Sequence, residues 1–293
     1  MKTRLLTMIR GSWIVGLLLT LTLNISAQDA NSLLWKISGN GLEKPSYLYG
    51  TIHLICPDDF VISDELKAAF KAAEQVALEL DMDNPQEMQG IQMAMMAPGG
   101  IDYKGQMSEE DYNKLDTLMK SKTGMGMGMM KGMKPFGLLS VMYLTILDCT
   151  QPASYEGSFV QMAAAQSKEL VGLETGASQM AIFDGIPEKE QIQWIVDMMD
   201  EKEDSKGEFA KMVADYKAQD LNALYASMTE SPEYAKYEAE LLDNRNEAWI
   251  PKIAKLAKDK STFIAVGAMH LAGGNGVIEL LKQAGYTVEP MAN

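Results

Sequence analysis

The stretch TFIAVG, residues 262–267, is the most strand-like segment of the chain, and it decides the fold class. It is rich in β-branched and apolar residues, the types that favour strands. A glycine-rich break follows at residues 273–276, then a helical pattern over 277–284 and a second strand pattern over 286–289. A strand–helix–strand connection of this length predicts parallel pairing. We therefore expect an α/β fold with a mixed, partly parallel central sheet flanked by helices.

Outward from this stretch, the N-terminal part of the chain predicts a β-hairpin. Leu33–Ile37 and Tyr47–Ile52 are strand-like, and the turn residues Gly39, Asn40 and Gly41 lie between them. Ser63 is a plausible N-cap for a helix over 64–75. Further strands are expected over 76–80 and 169–174, and helices over 138–147, 159–166 and most of 177–258.

Residues from about 84 to 134 have the pattern of a large helical insertion that is rich in methionine. Glycine alternates with methionine in Gly124–Met130, and glycine at this density opposes a stable helix. We expect a mobile loop or a frayed helix end there. The methionines suggest two hypotheses: thioether ligands for Cu(I), or adaptable apolar packing.

The first residues are typical of an export signal. Lys2, Arg4 and Arg10 precede the uncharged apolar run Trp13–Ile25, and Ser26-Ala27 offers small residues for cleavage. The run is short for a membrane span, which needs about 20 residues. We predict a signal peptide over 1–27, a single mature domain over 28–293, and a periplasmic or secreted protein without stable membrane insertion.

The net charge limits the possible partners, and the cysteine content raises the question of a disulfide. The net charge is −14, and it becomes −17 when the three cationic residues of the signal are removed. Such a surface repels nucleic acid and anionic membranes, so no nucleic-acid partner is expected. Cys56 and Cys149 are the two cysteines. An oxidising compartment permits a disulfide, but sequence does not give their distance, and two buried thiols are the alternative.

The two histidines of the chain occur in two copies of the pattern Gly-x-x-His. Gly50 precedes His53, and Gly267 precedes His270. Each histidine lies at or just after the end of an expected strand. Glycine at these positions lets the backbone approach the sheet or a substrate closely.

Two glutamates lie at strand ends in the same way. Glu79 is at the end of the strand over 76–80, and Glu174 ends the strand over 169–174. The carboxyl edge of an α/β sheet is where ligands collect, so the four side chains converge if their strands are neighbours. Two imidazoles and two carboxylates suit Zn²⁺, Mn²⁺, Co²⁺ or Fe²⁺, and one glutamate is a candidate general base.

Six blocks of the sequence resemble those of the TraB/GumN family, whose animal relatives are the Tiki proteins. The resemblance covers nearly the whole mature chain, with the blocks in the same order. The similar segments are Leu34–Ile37 with Ser46–Leu54, Leu78–Asp81, Lys134–Phe136, Gly172–Thr175 with Gln179, Asn244–Asn246 with Trp249, and Val266–Leu271 continuing to Val288.

The resemblance implies a fold like that of Tiki proteins, of erythromycin-esterase-like (EreA) proteins and of haem-binding ChaN-like proteins. It implies a metal-dependent protease-like site in which His53, Glu79, Glu174 and His270 bind the metal. Tiki members use Mn²⁺ or Co²⁺. Arg245 and Asn246 would reach the same site and, with Glu79, serve as catalytic residues; an arginine can orient a carboxylate or stabilise an oxyanion. A surface ion pair of Arg245 with Glu240 or Asp243 is the alternative.

One departure from the family pattern concerns a carboxylate. Many relatives have Gly-x-Asp before the block at Gly172, whereas this chain has Gly157-Ser158-Phe159, so any help from that aspartate is expected to be absent. The main functional hypothesis is an exported metal-dependent hydrolase, peptidase-like, acting on a peptide or small molecule. The alternative is a non-catalytic binding protein for haem, a metal or a peptide, with His53 or His270 as a possible haem ligand.

Overall fold

The centre of the molecule is a six-stranded mixed sheet, seen in a computed structural model that describes residues 31–147, 149–200 and 202–293. The strands are β1 Leu34–Gly39, β2 Ser46–Thr51, β3 Gln75–Leu78, β4 Glu169–Gly172, β5 Thr262–Gly267 and β6 Tyr286–Pro290. Their order across the sheet is β4-β3-β5-β2-β1-β6. With helices flanking this sheet, the expected α/β class is confirmed.

Helices fill most of the connections between the strands. They are α1 Asp64–Ala72, α2 Pro85–Ala94, α3 Tyr103–Gln106, α4 Glu109–Thr123, α5 Met127–Met130, α6 Pro135–Ile146, α7 Tyr155–Ala165, α8 Gly176–Asp184, α9 Glu188–Asp200, α10 Lys202–Lys217, α11 Leu221–Thr229, α12 Pro232–Ala235, α13 Asn244–Asp259 and α14 Val277–Gln283. A π-helical turn covers Ala239–Asp243 and a 3-10 turn covers Ala268–His270. The Ser63 side chain caps α1, as predicted.

The four strands β4, β3, β5 and β2 are neighbours and pair in parallel. Parallel strands of one sheet end at the same edge, so the segments that follow these four strands begin close together. The condition under which the four candidate ligands converge is therefore met.

The N-terminal hairpin closes the other side of the sheet. β1 pairs antiparallel with β2 and with β6. The parallel pairing expected across the helix over 277–284 is therefore wrong, because β2 and β1 lie between β5 and β6. The turn uses Gly39, Asn40 and Gly41, whose φ angles of 78°, 45° and 77° lie in the left-handed region. Glycine and asparagine adopt this region most readily, which is why these residue types predict the turn from sequence.

Apolar side chains form two separate cores in the described residues. The larger core lies against the sheet and includes Leu34, Phe70, Phe159 and Phe263. The smaller core packs α4 and α5 of the helical insertion against α6 and α9, which lie outside the insertion. The insertion is therefore packed on an apolar centre that it shares with these two helices.

The expectation of a loop or frayed helix end at Gly124–Met130 is wrong for part of this segment. Gly124 ends α4 in the left-handed region, but Met127–Met130 forms the short helix α5. Met127 and Met130 are buried in the smaller core, whereas Met129 is 73% exposed. Burial of two thioethers favours the packing hypothesis for those two residues, because it offsets the low helix propensity of the glycines.

The two cysteines form a disulfide. The Cα atoms of Cys56 and Cys149 lie 5.7 Å apart, and the residues are bonded. Beside them, Ile55 and Ala153 exchange backbone hydrogen bonds of 3.1 and 2.7 Å. The bridge thus holds the segment after β2 against the segment that leads into α7.

The predicted signal peptide, residues 1–27, lies outside the described residues, which begin at Asn31 and form one compact unit to Asn293. Within the ranges that the structure describes, no helix is both long and apolar enough to cross a membrane. Export stays a prediction from the sequence.

Candidate active site

All four predicted metal ligands follow the carboxyl ends of the parallel strands. His53 lies two residues beyond β2, and Glu79 comes directly after β3. Glu174 lies two residues beyond β4, and His270 ends the 3-10 turn that follows β5. Because β4, β3, β5 and β2 are neighbours, the sheet brings all four segments to one edge.

Gly267 marks the point at which three of these side chains meet. A Cβ atom placed on Gly267 would lie 3.4 Å from Oε1 of Glu79, 3.5 Å from Cδ2 of His270 and 3.8 Å from Nε2 of His53. The Gly267 amide donates a 2.8 Å hydrogen bond to Oε1 of Glu79. Since glycine has no side chain, the space between the three groups is a cradle open to a ligand.

Gly50 has a different task, although it begins the same Gly-x-x-His pattern. In the parallel ladder Gly50 pairs with Val266, not with Gly267, so the two glycines are one residue out of register. A Cβ on Gly50 would lie 2.9 Å from Cδ1 of Leu271 and 3.0 Å from Cα of Ala268. Gly50 therefore lets the turn after β5 pack directly on β2, while Gly267 keeps the site open.

Arg245 links both glutamates and one histidine. Its Nη2 atom is 2.5 Å from Oε2 of Glu79 and 2.6 Å from Oε1 of Glu174. Its Nε donates to the same Glu174 oxygen at 3.1 Å, and Nη1 is 2.9 Å from Nε2 of His270. A guanidinium group suits this task because it has five donors in a fixed plane.

These contacts exclude the surface ion pair with Glu240 or Asp243 that the sequence left open. Only 12% of the Arg245 side chain is exposed, and its ionic partners are the buried Glu79 and Glu174. Arg245 is also the single arginine in residues 31–293, where all other permanently charged basic residues are lysines.

The helix that carries Arg245 is shaped for this contact. The π-helical turn Ala239–Asp243 immediately precedes α13, and Nη1 of Arg245 donates to the carbonyl of Leu241 at 2.9 Å. Single π-turns inside helices are frequent at functional sites. Below the guanidinium, Trp249 packs against Cζ of Arg245 at 4.9 Å and against the His270 ring at 4.6 Å.

Asn246 fixes the orientation of His270. Because Nε2 of His270 accepts from Arg245, Nδ1 carries the proton and donates to Oδ1 of Asn246 at 2.7 Å. The Nδ2 atom of Asn246 donates to the carbonyl of Asn275 at 2.9 Å, which sets the orientation of the amide. The prediction placed Asn246 among the catalytic residues, whereas the structure places it in contact with His270, behind the cradle.

Glu156 is a residue that the sequence reasoning missed. Its Oε1 atom is 2.9 Å from Nδ1 of His53 and accepts a 2.6 Å hydrogen bond from the Thr51 hydroxyl. Ser154 donates to Oε2 at 3.0 Å. The aspartate of the family pattern is absent, since Ser158 and Phe159 follow Gly157. Glu156, the residue just before Gly157, instead supplies a carboxylate to His53.

Gln179 completes the carboxylate end of the site. Its Nε2 atom donates to Oε2 of Glu79 at 3.2 Å and to Oε1 of Glu174 at 3.3 Å. It lies on α8, one turn after the Thr175 N-cap. Arg245 and Gln179 hold Glu174 beside Glu79, and Glu174 is not one of the three side chains nearest to a Cβ at Gly267.

The two glutamates differ in electrostatic environment. Burial alone would raise the pKa of Glu79, but the Arg245 charge and the Gly267 amide hydrogen bond outweigh it and lower that pKa to about 2. Burial raises the pKa of Glu174, and Arg245 offsets this only in part. Glu79 therefore holds the negative charge of the pair most firmly.

The two imidazoles are also unlike. Burial lowers the pKa of His270 to about 3, so its ring is neutral, as a metal ligand must be. Desolvation acts in the same direction on His53, but Glu156 outweighs it and raises the pKa of His53 to about 9. The His53 side chain is 69% exposed, so solvent screens part of this attraction.

The donor set suits a divalent metal in its ligand chemistry. Each histidine has Nδ1 fixed by a side-chain oxygen and turns its other edge to the Gly267 cradle, the arrangement common behind metal-bound histidines. His53, Glu79 and His270 are the residues that would hold the metal. Among the described residues, however, no group of three His, Cys, Asp or Glu side chains is close enough to hold a metal ion, and Arg245 contacts both Glu79 and His270.

Comparison with known proteins follows this geometry. The model of the TraB/PrgY/gumN family matches residues 33–290. The chain belongs to this family. The match to the TraB/PrgY/gumN family spans every strand of the sheet and every residue described at the candidate site.

Curated relatives align with about nine-tenths of this chain. The chain is 24% identical to Metalloprotease TIKI2 of Danio rerio, over 90% of this chain and 62% of the relative. It is 25% identical to Metalloprotease TIKI2 of Xenopus tropicalis and 24% identical to Metalloprotease TIKI1 of Homo sapiens, over 90% and 89% of this chain. The chain spans about 60% of the length of these relatives. No solved structure matches it.

Proposed function

We propose that this member of the TraB/PrgY/gumN family is an exported metal-dependent hydrolase that cleaves peptides. One observation carries the proposal: His53, Glu79 and His270 surround the open position at Gly267. Two imidazoles and one carboxylate leave a metal with coordination positions for water and substrate, as in catalytic zinc sites.

The side chains behind the cradle fix the ligands. Glu156 holds the ring of His53, and Asn246 holds the ring of His270 in the tautomer that leaves Nε2 unprotonated. A divalent metal at the cradle, such as Mn²⁺, Co²⁺, Zn²⁺ or Fe²⁺, would supply an activated water and polarise a carbonyl group. For this role Arg245 must release His270, while it keeps its hydrogen bond to Glu174.

Arg245 and Glu79 then have separate tasks. Arg245 is a fixed positive charge beside the cradle and can stabilise negative charge that develops on a substrate oxygen. Glu79 is ionised and lies next to the same position, so it can hold the metal or accept a proton from water. Glu174 and Gln179 keep the guanidinium in place and are positioning residues.

The substrate class rests on the relatives, which are named metalloproteases and match nine-tenths of this chain. The compartment rests on the signal-like residues 1–27. The disulfide between Cys56 and Cys149 supports an oxidising compartment, since stable disulfides are rare in the cytosol.

The test uses the mature chain, residues 28–293, stripped with a chelator and reloaded with Mn²⁺, Co²⁺ or Zn²⁺. Turnover of an internally quenched peptide library is measured for the wild type and for His53→Ala, His270→Ala and Glu79→Gln. We expect metal-dependent cleavage in the wild type and a loss of at least about 100-fold in each variant, as for removal of catalytic groups.

Glu169→Gln is the matched control. Glu169 begins the strand β4 and pairs with Lys260 at the surface. It lies at the amino end of β4, whereas Glu174 follows the carboxyl end of the same strand. Its substitution should leave turnover unchanged. Absence of cleavage with every metal, or full activity in both histidine variants, would overturn the proposal. Metal-dependent peptide binding without turnover would support the non-catalytic binding protein instead.

A further inference from the structure

A cavity of about 310 Å³ lies in the helical part of the molecule, outside the cluster of His53, Glu79, Glu174 and His270. Its size is at the small end of ligand pockets, roughly 300–1,000 Å³. The apolar side chains that line it come from α2, α6, α8 and the segments beside them, and include Met95, Ile101, Phe136, Met180, Phe183 and Ile186.

Helix α8 connects this cavity with the candidate active site. Gln179 of α8 donates to Glu79 and Glu174. Phe183 is four residues later on the same helix, and it lines the cavity. Residues four apart lie on one face of a helix, about one turn or 5.4 Å along its axis. The face of α8 that contacts the two glutamates therefore continues directly into the cavity.

Helix α2 forms a fixed wall on the other side. Glu87 near its start accepts a 3.0 Å hydrogen bond from the amide of Gly176, the first residue of α8. A Cβ on Gly176 would lie only 2.1 Å from Cγ1 of Ile91, so the Ile91 side chain of α2 packs directly on the backbone of α8. The end of α2 and the residues after it, Ala94, Met95 and Ala97, line the cavity.

The segment Lys134-Pro135-Phe136, which the catalytic cluster does not use, also lines this cavity. Phe136 stacks on Phe183, and Lys134 pairs with Asp184 at 2.7 Å. Both ends of that ion pair are partly exposed, 30% and 54%, so it lies at the polar rim of an apolar pocket. A polar rim around an apolar interior suits a side chain attached to a peptide backbone that stays outside.

We propose that this cavity is a specificity pocket that binds a large apolar side chain of the peptide substrate, such as leucine or phenylalanine. The inference rests on the proposed function. An extended peptide advances about 3.4 Å per residue. One turn of α8 therefore corresponds to a side chain about two residues from the bond that is cleaved.

The test compares peptides that carry alanine, leucine or phenylalanine at each position in turn. The wild type should prefer leucine or phenylalanine to alanine by at least about 10-fold in kcat/KM at one position, a usual discrimination for an apolar pocket. Ala94→Phe and Ala97→Phe fill the cavity, and each should reduce that preference to below about 3-fold. Gln92→Phe places the same side chain on α2 at an exposed residue and should keep the preference.

Two outcomes separate this inference from the proposed function. If both Ala94→Phe and Ala97→Phe cleave peptides with an unchanged preference for leucine or phenylalanine, the specificity pocket is overturned. The proposed hydrolase function would still stand. If the wild type cleaves no peptide, the proposed function fails, and binding of N-acetyl-phenylalanine amide at millimolar concentration, followed by NMR, tests the pocket alone. Saturable binding that Ala94→Phe abolishes and Gln92→Phe keeps supports the pocket; no binding to the wild type overturns it.

Discussion

The Oε1 atom of Glu156 lies 2.9 Å from Nδ1 of His53. The two residues come from distant segments, the loop after β2 and the first turn of α7, and the Cys56–Cys149 disulfide joins those segments. Such a carboxylate fixes the ring and makes the opposite nitrogen a better ligand. His53 therefore depends on Glu156 for its orientation toward the cradle at Gly267.

Replacing Glu156 with glutamine should weaken metal binding by about 10- to 100-fold, the usual effect of losing a partner behind a ligand. The amide keeps the size of the side chain but loses its charge. Titration of the stripped protein with Mn²⁺ or Co²⁺ measures the effect. Glu169→Gln is the matched control, and equal affinities in the two variants would refute the role of Glu156.

The two motif glycines should respond to alanine in opposite ways. At Gly267 the new Cβ meets only ordinary contacts of 3.4–3.8 Å, so stability should stay equal or rise by up to about 1 kcal/mol while turnover falls at least about 10-fold. At Gly50 the Cβ would overlap Leu271 and Ala268, which should cost ~1–3 kcal/mol. Urea unfolding and peptide turnover, measured on both variants, distinguish these effects. A destabilised Gly267→Ala protein would contradict the cradle.

Arg245→Gln should lower the free energy of unfolding by about 3–5 kcal/mol, because Glu79 and Glu174 would be left buried without their cation. Adding Glu174→Gln removes one uncompensated charge and should restore part of the loss, a coupling that a double-mutant cycle measures. Lys260→Gln breaks an exposed pair with Glu169 and should cost less than about 1 kcal/mol. Additive losses in the double variant would show that the guanidinium does not couple to Glu174.

Much of this site follows from local sequence signals. Gly-x-x-His after a strand, a glutamate at a strand end and the turn at Gly39–Gly41 are short patterns that depend on few neighbours. These patterns predicted a central sheet, its N-terminal hairpin and the four candidate ligands. The family resemblance added Arg245 and Asn246, which composition alone does not distinguish from surface residues.

Other features depend on contacts between distant segments. No short sequence pattern predicts that β5 lies between β3 and β2, or that Glu156 lies beside His53. The short helix α5 is another case, since Asp116 accepts a 2.8 Å hydrogen bond from the Met127 amide eleven residues later. Tertiary packing there overrides the poor helix propensity of Gly126 and Gly128.

Methionine variants test that packing. Met127 is 1% exposed and Met129 is 73% exposed on the same short helix. Met127→Ala should lower the free energy of unfolding by about 2–5 kcal/mol, as for other buried methionines, and Met129→Ala should leave it nearly unchanged. Chemical denaturation measures both. Equal small losses would mean that α5 does not stabilise the fold.

Breaking the disulfide should destabilise the protein by about 2–4 kcal/mol, since the bond closes a long loop. Cys56→Ala with Cys149→Ala, and the wild type in a reducing agent, should unfold at the same urea concentration. Wild-type stability that is insensitive to reduction would contradict this expectation.

The pairing of β2 with β5 has a consequence for biosynthesis. Ser46 accepts a hydrogen bond from the Thr262 amide, although the two residues are 216 positions apart. β5 lies between β3 and β2, so each of these two strands lacks one of its two neighbours until β5 has been made. A nascent chain that already contains His53, Glu79 and Arg245 therefore lacks a complete candidate site. The site is complete only when the segment up to His270 has emerged and inserted, so the proposed hydrolase would have no activity on other chains while it is being synthesised.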